Sequence, residues 1–276
     1  MRPDLANIES LQAFLAGYNL SPNEDKSQNF LVCQEVIEAI LLAMEGGPNN
    51  VTELGAGVGT MTQALVASNY NVRAIEKDGD LARVLPKALA AKERVNLEVI
   101  NKDMKEVRWE RDEGYQLVGN IPYHMSGWII RRMTQLKPAP ERVVLLTQKE
   151  VGERMSLETK DRSLLTLAVE LWGRAERLLQ VPASCFWPEP KVESQLSLIV
   201  PLERVEALYE ENERVMAIAR PLFQGKRKQI GGQMSKAFGL KRKAVDKILD
   251  KVGLKREQRP EELTVEEWRR LTVYMV

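Results

Sequence analysis

Cysteine is scarce in this chain: Cys33 and Cys185 are its only two, and neither has a second Cys or a His at metal-ligand spacing. Their isolation argues against a disulfide framework and a zinc centre, and fits a reducing cytoplasm. Histidine is scarcer still, with His124 alone. The opening Met1-Arg2-Pro3-Asp4-Leu5 begins no signal-like apolar run, and no apolar stretch is long enough to span a bilayer, so a soluble cytoplasmic protein is expected. An excess of either charge is missing too. The 40 Lys and Arg against 39 Asp and Glu leave a net +1, so total charge points to no partner and only its distribution can. There is no internal repeat and no low-complexity tract.

What is present suffices for one sizeable α/β domain and a smaller one, since 44% of 276 residues are hydrophobic. Residues 4–17 space Leu5, Ile8, Leu11, Phe14 and Leu15 along one side of a helix, before a polar linker from Ser21 to Ser27. A second helical pattern runs through Val36, Ile37, Ile40, Leu41 and Met44 to Gly46-Gly47-Pro48. From Asn50 the pattern alternates. Strands are expected at 51–54, 72–76, 95–100, 116–119 and 143–148, with helices from 60, around 81–90 and at 128–136. That alternation predicts a doubly wound, mostly parallel sheet. After a helix at 164–171, the runs 178–181 and 195–200 read as an antiparallel hairpin closing the sheet edge. Beyond Pro201 only short helical patterns remain, so a main domain over 1–203 and a helical one over 204–276 are expected.

The first strand runs into Glu53-Leu54-Gly55-Ala56-Gly57-Val58-Gly59 and opens a helix, the place where a doubly wound sheet binds nucleotides. A dinucleotide fingerprint wants its third Gly where Thr60 stands; here the spacing is Gly-x-Gly-x-Gly. Glu76, 21 residues after Gly55, ends the second strand, where a carboxylate accepts both hydroxyls of a ribose and repels a 2′-phosphate. Asp103 follows the third strand, placed to accept from an adenine amino group while Met104 packs on the ring; Asn29 and Leu31 would cover the ligand from the N-terminal side. Singly, each acid reads equally as an exposed strand end. Jointly they point to an adenosine-containing, phosphate-free cofactor, S-adenosylmethionine.

The fourth strand ends in Gly119-Asn120-Ile121-Pro122-Tyr123. Pro122 fixes its own φ and pushes Ile121 into an extended conformation, which makes a rigid corner. Asn120 offers a carbonyl acceptor beside backbone carbonyls, and Tyr123 a flat face on which a nucleobase could stack. This is either a holder for an exocyclic amine on a planar ring or a strand-ending turn. His124 reads as a neighbour of that site that packs or hydrogen-bonds locally. Residues 214–259 carry 14 Lys or Arg against three acids, a local +11 that leaves about −10 elsewhere. Lys226-Arg227-Lys228 and Lys241-Arg242-Lys243 read either as a solvated face or as phosphate contacts to RNA.

The runs Gln28-Asn29-Phe30-Leu31, Glu53 to Gly59, Ala74-Ile75-Glu76-Lys77-Asp78, Asn120-Ile121-Pro122-Tyr123, Gln148-Lys149-Glu150-Val151 and Phe186 to Ser194 occur in an order that resembles the ribosomal RNA adenine dimethyltransferase family over nearly the whole chain. The resemblance implies a Rossmann-like methyltransferase fold with a seven-stranded sheet and a small helical C-terminal domain. It also implies cofactor contacts at Asn29, Leu31, Gly55, Glu76, Asp103 and Asn120. The expected site adds Gly57 and Met104 to these, takes Asn120, Ile121, Pro122 and Tyr123 as the catalytic corner, and holds no metal. Gln148-Lys149-Glu150, Lys226-Arg227-Lys228 and the tail from Gly253 to Val265 are similar to the branch that dimethylates two neighbouring adenosines in the 3′-terminal hairpin of small-subunit RNA. Ile121 and Asp161-Arg162-Ser163-Leu164 are similar to the macrolide-resistance branch, which acts on large-subunit RNA, and His124 replaces the usual Asn. The expectation is a monomeric small-subunit enzyme. A large-subunit enzyme and a noncatalytic RNA-binding assembly factor are the alternatives.

Overall fold

The computed structural model describes residues 2–23, 26, 28–156, 162–225 and 228–275, and of Tyr123 the backbone alone. Two compact units share the chain: Met1–Glu153 with Ala175–Pro201, and Arg154–Arg174 with Leu202–Val276. The later crossing lies beside the expected boundary at 203/204. The earlier one carries 154–174 into the helical unit, where Leu167, Ala168 and Leu171 join its apolar core.

The first unit opens with α1 (Ile8–Ala16). This helix is shorter than the expected 4–17, because extended Asn7 caps it by accepting from Ser10 N at 3.0 Å. Leu5, Leu11 and Leu15 are buried, whereas Ile8, expected on the same face, is exposed. There follow β1 (Phe30–Leu31), α2 (Gln34–Met44), β2 (Asn50–Leu54), α3 (Thr60–Ala67), β3 (Asn71–Glu76), α4 (Gly79–Val84), β4 (Leu97–Asn101), β5 (Tyr115–Asn120), α5 (Ser126–Met133), β6 (Arg142–Gln148) and α6 (Lys149–Met155). After α7 (Leu164–Trp172) come β7 (Gly173–Val181), β8 (Phe186–Trp187) and β9 (Ser194–Pro201). The helix expected around 81–90 is cut at Val84, where Pro86 enters a 3-10 turn over Leu85–Ala88. Similarly, β4 begins at Leu97 rather than Val95, because Arg94–Asn96 form a 3-10 turn.

The seven longer strands form one sheet in the order β4-β3-β2-β5-β6-β9-β7. The pairs β3/β4, β2/β3, β2/β5 and β5/β6 are parallel, and β9 runs antiparallel to β6. This is the mostly parallel seven-stranded α/β sheet that the alternation predicts. Its buried strands are apolar on both faces, as in Leu117 and Val118 or Val143 to Leu146. From β2 the chain winds outward through β3 and β4, then returns to place β5 on the other side of β2. The order therefore reverses at the carboxyl ends of β2 and β5, which is where an open α/β sheet leaves a crevice. The pairs Leu54↔Gly119, Leu54↔Ile75 and Glu76↔Asn101 bring the loops after four strands level with one another. A second, two-stranded sheet pairs Phe30 with Trp187 and Leu31 with Phe186.

The second unit adds α8 (Tyr209–Phe223), α9 (Ile230–Phe238), α10 (Arg242–Val252) and α11 (Val265–Tyr274) to α7. Fully buried Trp268 stacks on Phe223 with ring centroids 5.7 Å apart, among Val215, Leu222, Met234 and Leu249. Among the described residues no helix is long and apolar enough to cross a membrane, and no group of three His, Cys, Asp or Glu could hold a metal ion.

Candidate active site

After β2 the chain turns through Gly55, Gly57 and Gly59 at φ +70°, +59° and +94°, backbone that side chains rarely tolerate. At Gly59 a Cβ would also stand 2.7 Å from Leu85 Cγ. At Gly55 a Cβ would lie 3.8 Å from the Asn120 carbonyl oxygen and from Met104 Cε, so any side chain would start to fill the space between them. That space is a cleft of about 610 Å³ at the switch point of the sheet. Asn29, Leu31, Gly55, Gly57, Glu76, Asp103, Met104 and Asn120 all line it, as do Ile121, Pro122 and His124.

Glu76 is 8% exposed at the end of β3. Its Oε2 accepts from Gly57 N and its Oε1 from Asp78 N, both at 2.7 Å. Burial raises its pKa, and the Asp78 and Gly57 N–H groups oppose that rise by favouring the anion. The carboxylate still has acceptor capacity for an incoming hydroxyl. Asn101 braces the turn from the next strand by donating to Glu76 O at 2.9 Å and Lys77 O at 3.2 Å. Asp103 accepts from Lys77 Nζ at 2.8 Å and from Lys105 N at 3.0 Å. The Lys77 ammonium holds its carboxyl below the usual range, which leaves it anionic with two of four acceptor positions in use.

On the facing side, Asn120 donates from Nδ2 to Asn29 O at 3.0 Å, across 91 positions of chain. With the donor end of the amide committed, the carbonyl oxygen is the end left to accept. Ile121 is buried, and its N–H bonds Leu146 O at 2.9 Å; Met125 N closes on Pro122 O at 2.9 Å. The corner is therefore fixed from both sides. The side chain of Tyr123 lies outside the described residues.

Three features of the cleft were not anticipated. Glu53, fully buried on β2, also lines it: Oε2 accepts from Thr62 Oγ1 at 2.6 Å, while Oε1 has no hydrogen-bond partner among the described residues. Burial pushes its pKa up to about 8, which favours the neutral acid. An acidic residue inside a central strand was the available signal. Phe186 of β8 supplies a wall through its pairing with Leu31, a long-range contact that no local pattern encodes. Finally, Asp78 caps α4 and takes Lys26 Nζ at 2.6 Å and Gln28 Nε2 at 3.2 Å, which ties the N-terminal strap to the loop after β3.

The predicted basic residues lie in the second unit. Lys228, Lys241, Arg242 and Lys243 are exposed, the last three at the start of α10 with Lys247 further along it. Arg242 shares Asp246 with Arg256 at 3.8 and 2.6 Å. Lys226 and Arg227 lie outside the described residues.

The computed fold resembles the crystal structure of the 23S rRNA methyltransferase ErmE, with TM-score 0.69 and 25% identity over 89% of this chain and 99% of that one. It also resembles a dimethyladenosine transferase from Plasmodium falciparum, with TM-score 0.75 and 23% identity over 87% and 95%; at that identity the likeness concerns the fold. In sequence, the chain is 30% identical over 263 residues to the ribosomal RNA small subunit methyltransferase A of Dehalococcoides mccartyi, a span of 93% of this chain and 89% of that one. The family model described as ribosomal RNA adenine dimethylase matches residues 19–275. With that match spanning both units, on a Rossmann-like methyltransferase fold whose glycine loop shares one cleft with Asn120, Ile121 and Pro122, the chain belongs to the ribosomal RNA adenine dimethylase family.

Proposed function

We propose that this protein is an S-adenosylmethionine-dependent adenine N6,N6-dimethyltransferase that modifies two adjacent adenosines in the 3′-terminal hairpin of small-subunit ribosomal RNA during ribosome maturation. The observation that carries the reading is the convergence of Glu76, Asp103 and Asn120 on one cleft. The residues suit the cofactor. Glu76 presents free lone pairs where a ribose would sit and would repel a phosphate there; Gly55 leaves room where a Cβ would intrude; Met104 and Leu31 supply apolar walls for a base. Asn29 and Asp103 would take the remaining polar edges.

When bound, S-adenosylmethionine supplies an electrophilic methyl group. The chain's own task lies with the amine. An adenine N6 lone pair is delocalised into its ring and is a poor nucleophile. The Asn120 carbonyl oxygen and the Ile121 backbone carbonyl accept from its N–H groups, draw the nitrogen towards tetrahedral geometry and stabilise the positive charge it gains. The proton leaves afterwards from an acidic ammonium, so no general base is assigned. Tyr123 stacks on the target base once it has left its helix, at a cost of a few kcal/mol. Lys228, Lys241, Arg242 and Lys243, with Lys226 and Arg227, hold phosphates and give affinity without base readout.

The small-subunit target follows the relative named above rather than ErmE, because the sequence match to the former is higher over comparable length. Label transfer to small and large subunits lacking these marks, with mapping of the modified adenosines, tests the target. Asn120→Ala tests the chemistry: kcat should fall at least about a hundredfold with the fold intact, the scale of losing one charge-stabilising contact. Near-wild-type turnover would remove Asn120 from the mechanism.

A further inference from the structure

We propose that Trp128, with Lys105 beside it, is a stacking platform for a nucleotide flanking the target adenosine; this rests on the RNA reading above and adds a residue that reads the substrate. Trp128 lies on α5, the helix that follows the Asn120–Tyr123 corner, and is 36% exposed, unusual for so large an apolar ring. It neighbours residues that line the cleft. Met125, one helical turn earlier, lines that cleft, and so does Lys105, whose Nζ is 5.7 Å from the Trp128 ring centroid.

The ring is held rigidly from below. Fully buried Trp109 meets it edge to face, with centroids 5.6 Å apart and planes at 77°, and Trp109 Nε1 donates to Met104 O at 2.7 Å. Met104 is itself a cleft wall, so a continuous set of contacts links the platform to the site. The surroundings are open and cationic. A Cβ on neighbouring Gly127 would meet nothing within 4 Å, and Lys102, Lys105 and Arg131 are exposed. Of the acids in the same loop, Asp103 pairs with Lys77 at 2.8 Å, and Glu106 is exposed.

An exposed indole with a lysine over its ring, beside a base-binding cleft, matches the chemistry of a single-stranded nucleotide, an aromatic face with a phosphate attached. When the target adenosine leaves its stack, its neighbour loses a stacking partner, and Trp128 supplies the replacement. The Lys105 ammonium, on a flexible stem, then moves from the ring face to the phosphate.

The test is steady-state methylation of small subunits lacking the modification by wild type, Trp128→Phe, Trp128→Leu and Lys105→Ala, with cofactor affinity and Tm measured alongside. Leu keeps the apolar contact with Trp109 but removes the ring face. Trp128→Leu should raise KM for the particle about tenfold, with cofactor affinity and Tm near wild type, while Trp128→Phe stays within about threefold. Lys105→Ala should raise KM at low salt, with the difference shrinking as salt rises. If Trp128→Leu matches wild type, or if Phe and Leu lose equally with a lowered Tm, the platform is overturned and Trp128 only packs. If the wild-type chain itself labels neither subunit, the reading of the reaction fails, a result distinct from an active wild type with an indifferent Trp128.

Discussion

Replacing Glu53 with Gln should flatten a pH dependence of stability that the wild-type chain carries between about pH 5 and 8. Glu53 is 0% exposed on β2, level with Ala74 on one side and Val118 on the other. Hydrogen bonding from Thr62 does not offset the loss of water, to which repulsion from Glu76 adds, so its pKa moves from 4.5 to about 8. Over that interval the folded state keeps a proton that the unfolded chain has released. The stability from the neutral form is therefore fully present below the unfolded pKa and is lost as pH rises through the folded one. At 1.36 kcal/mol per pKa unit the full span is about 5 kcal/mol, an upper bound that water penetration lowers to roughly 3 kcal/mol. Glutamine has nearly the same shape and cannot ionise. Urea unfolding of both proteins in steps from about pH 5 to 9 is the assay, and their difference cancels Asp78 and Asp103, whose lowered pKa values are common to both. Glu53→Gln should match wild type near pH 5 and exceed it by about 3 kcal/mol near pH 9. Parallel stability curves would mean that Glu53 is already ionised at neutral pH, and the reasoning would fail.

Glu76→Gln should weaken cofactor binding about tenfold to a hundredfold by calorimetry, because it replaces an anion held by Gly57 N and Asp78 N with a group that has one acceptor oxygen; unchanged affinity would refute the ribose assignment. Gly59→Ala should cost about 1–3 kcal/mol in urea unfolding, from a φ of +94° and a Cβ 2.7 Å from Leu85 Cγ. Changing Lys228, Lys241, Arg242 and Lys243 to Ala should lower the slope of log affinity for ribosomal RNA against log salt by about 0.7–0.9 for each phosphate that is no longer neutralised. An unaltered slope would place the RNA elsewhere.

The sheet was legible because its central strands are short apolar runs separated by punctuated helices, and burial on both faces imposes that pattern. The glycines of the β2–α3 loop and the acid ending β3 were legible for a similar reason: a positive φ and a switch-point position restrict which residues can stand there. Errors fell where local chemistry competes. Asn7 delays the start of α1 on the strength of one side-chain hydrogen bond, and Pro86 shortens α4. What could not be read were contacts set by pairing distant segments. Phe186 as a cleft wall, Lys77 on Asp103 and the Asn120–Asn29 bond depend on which strands lie side by side, information held by the sheet as a whole.

The pairing of Phe30 with Trp187 also sets a timetable for synthesis. Strands β2 to β5 all emerge before residue 121, so the parallel half of the sheet can assemble while the chain is still growing. The strand pairing of Phe30 and Leu31 cannot form then, because their partners lie more than 150 residues downstream, roughly 10–30 s later at ordinary elongation rates. Until Phe186 arrives the nascent chain carries the glycine loop and the Asn120–Pro122 corner without one of the walls of the cleft. Assembly of the catalytic pocket is thus deferred until most of the polypeptide has left the ribosome.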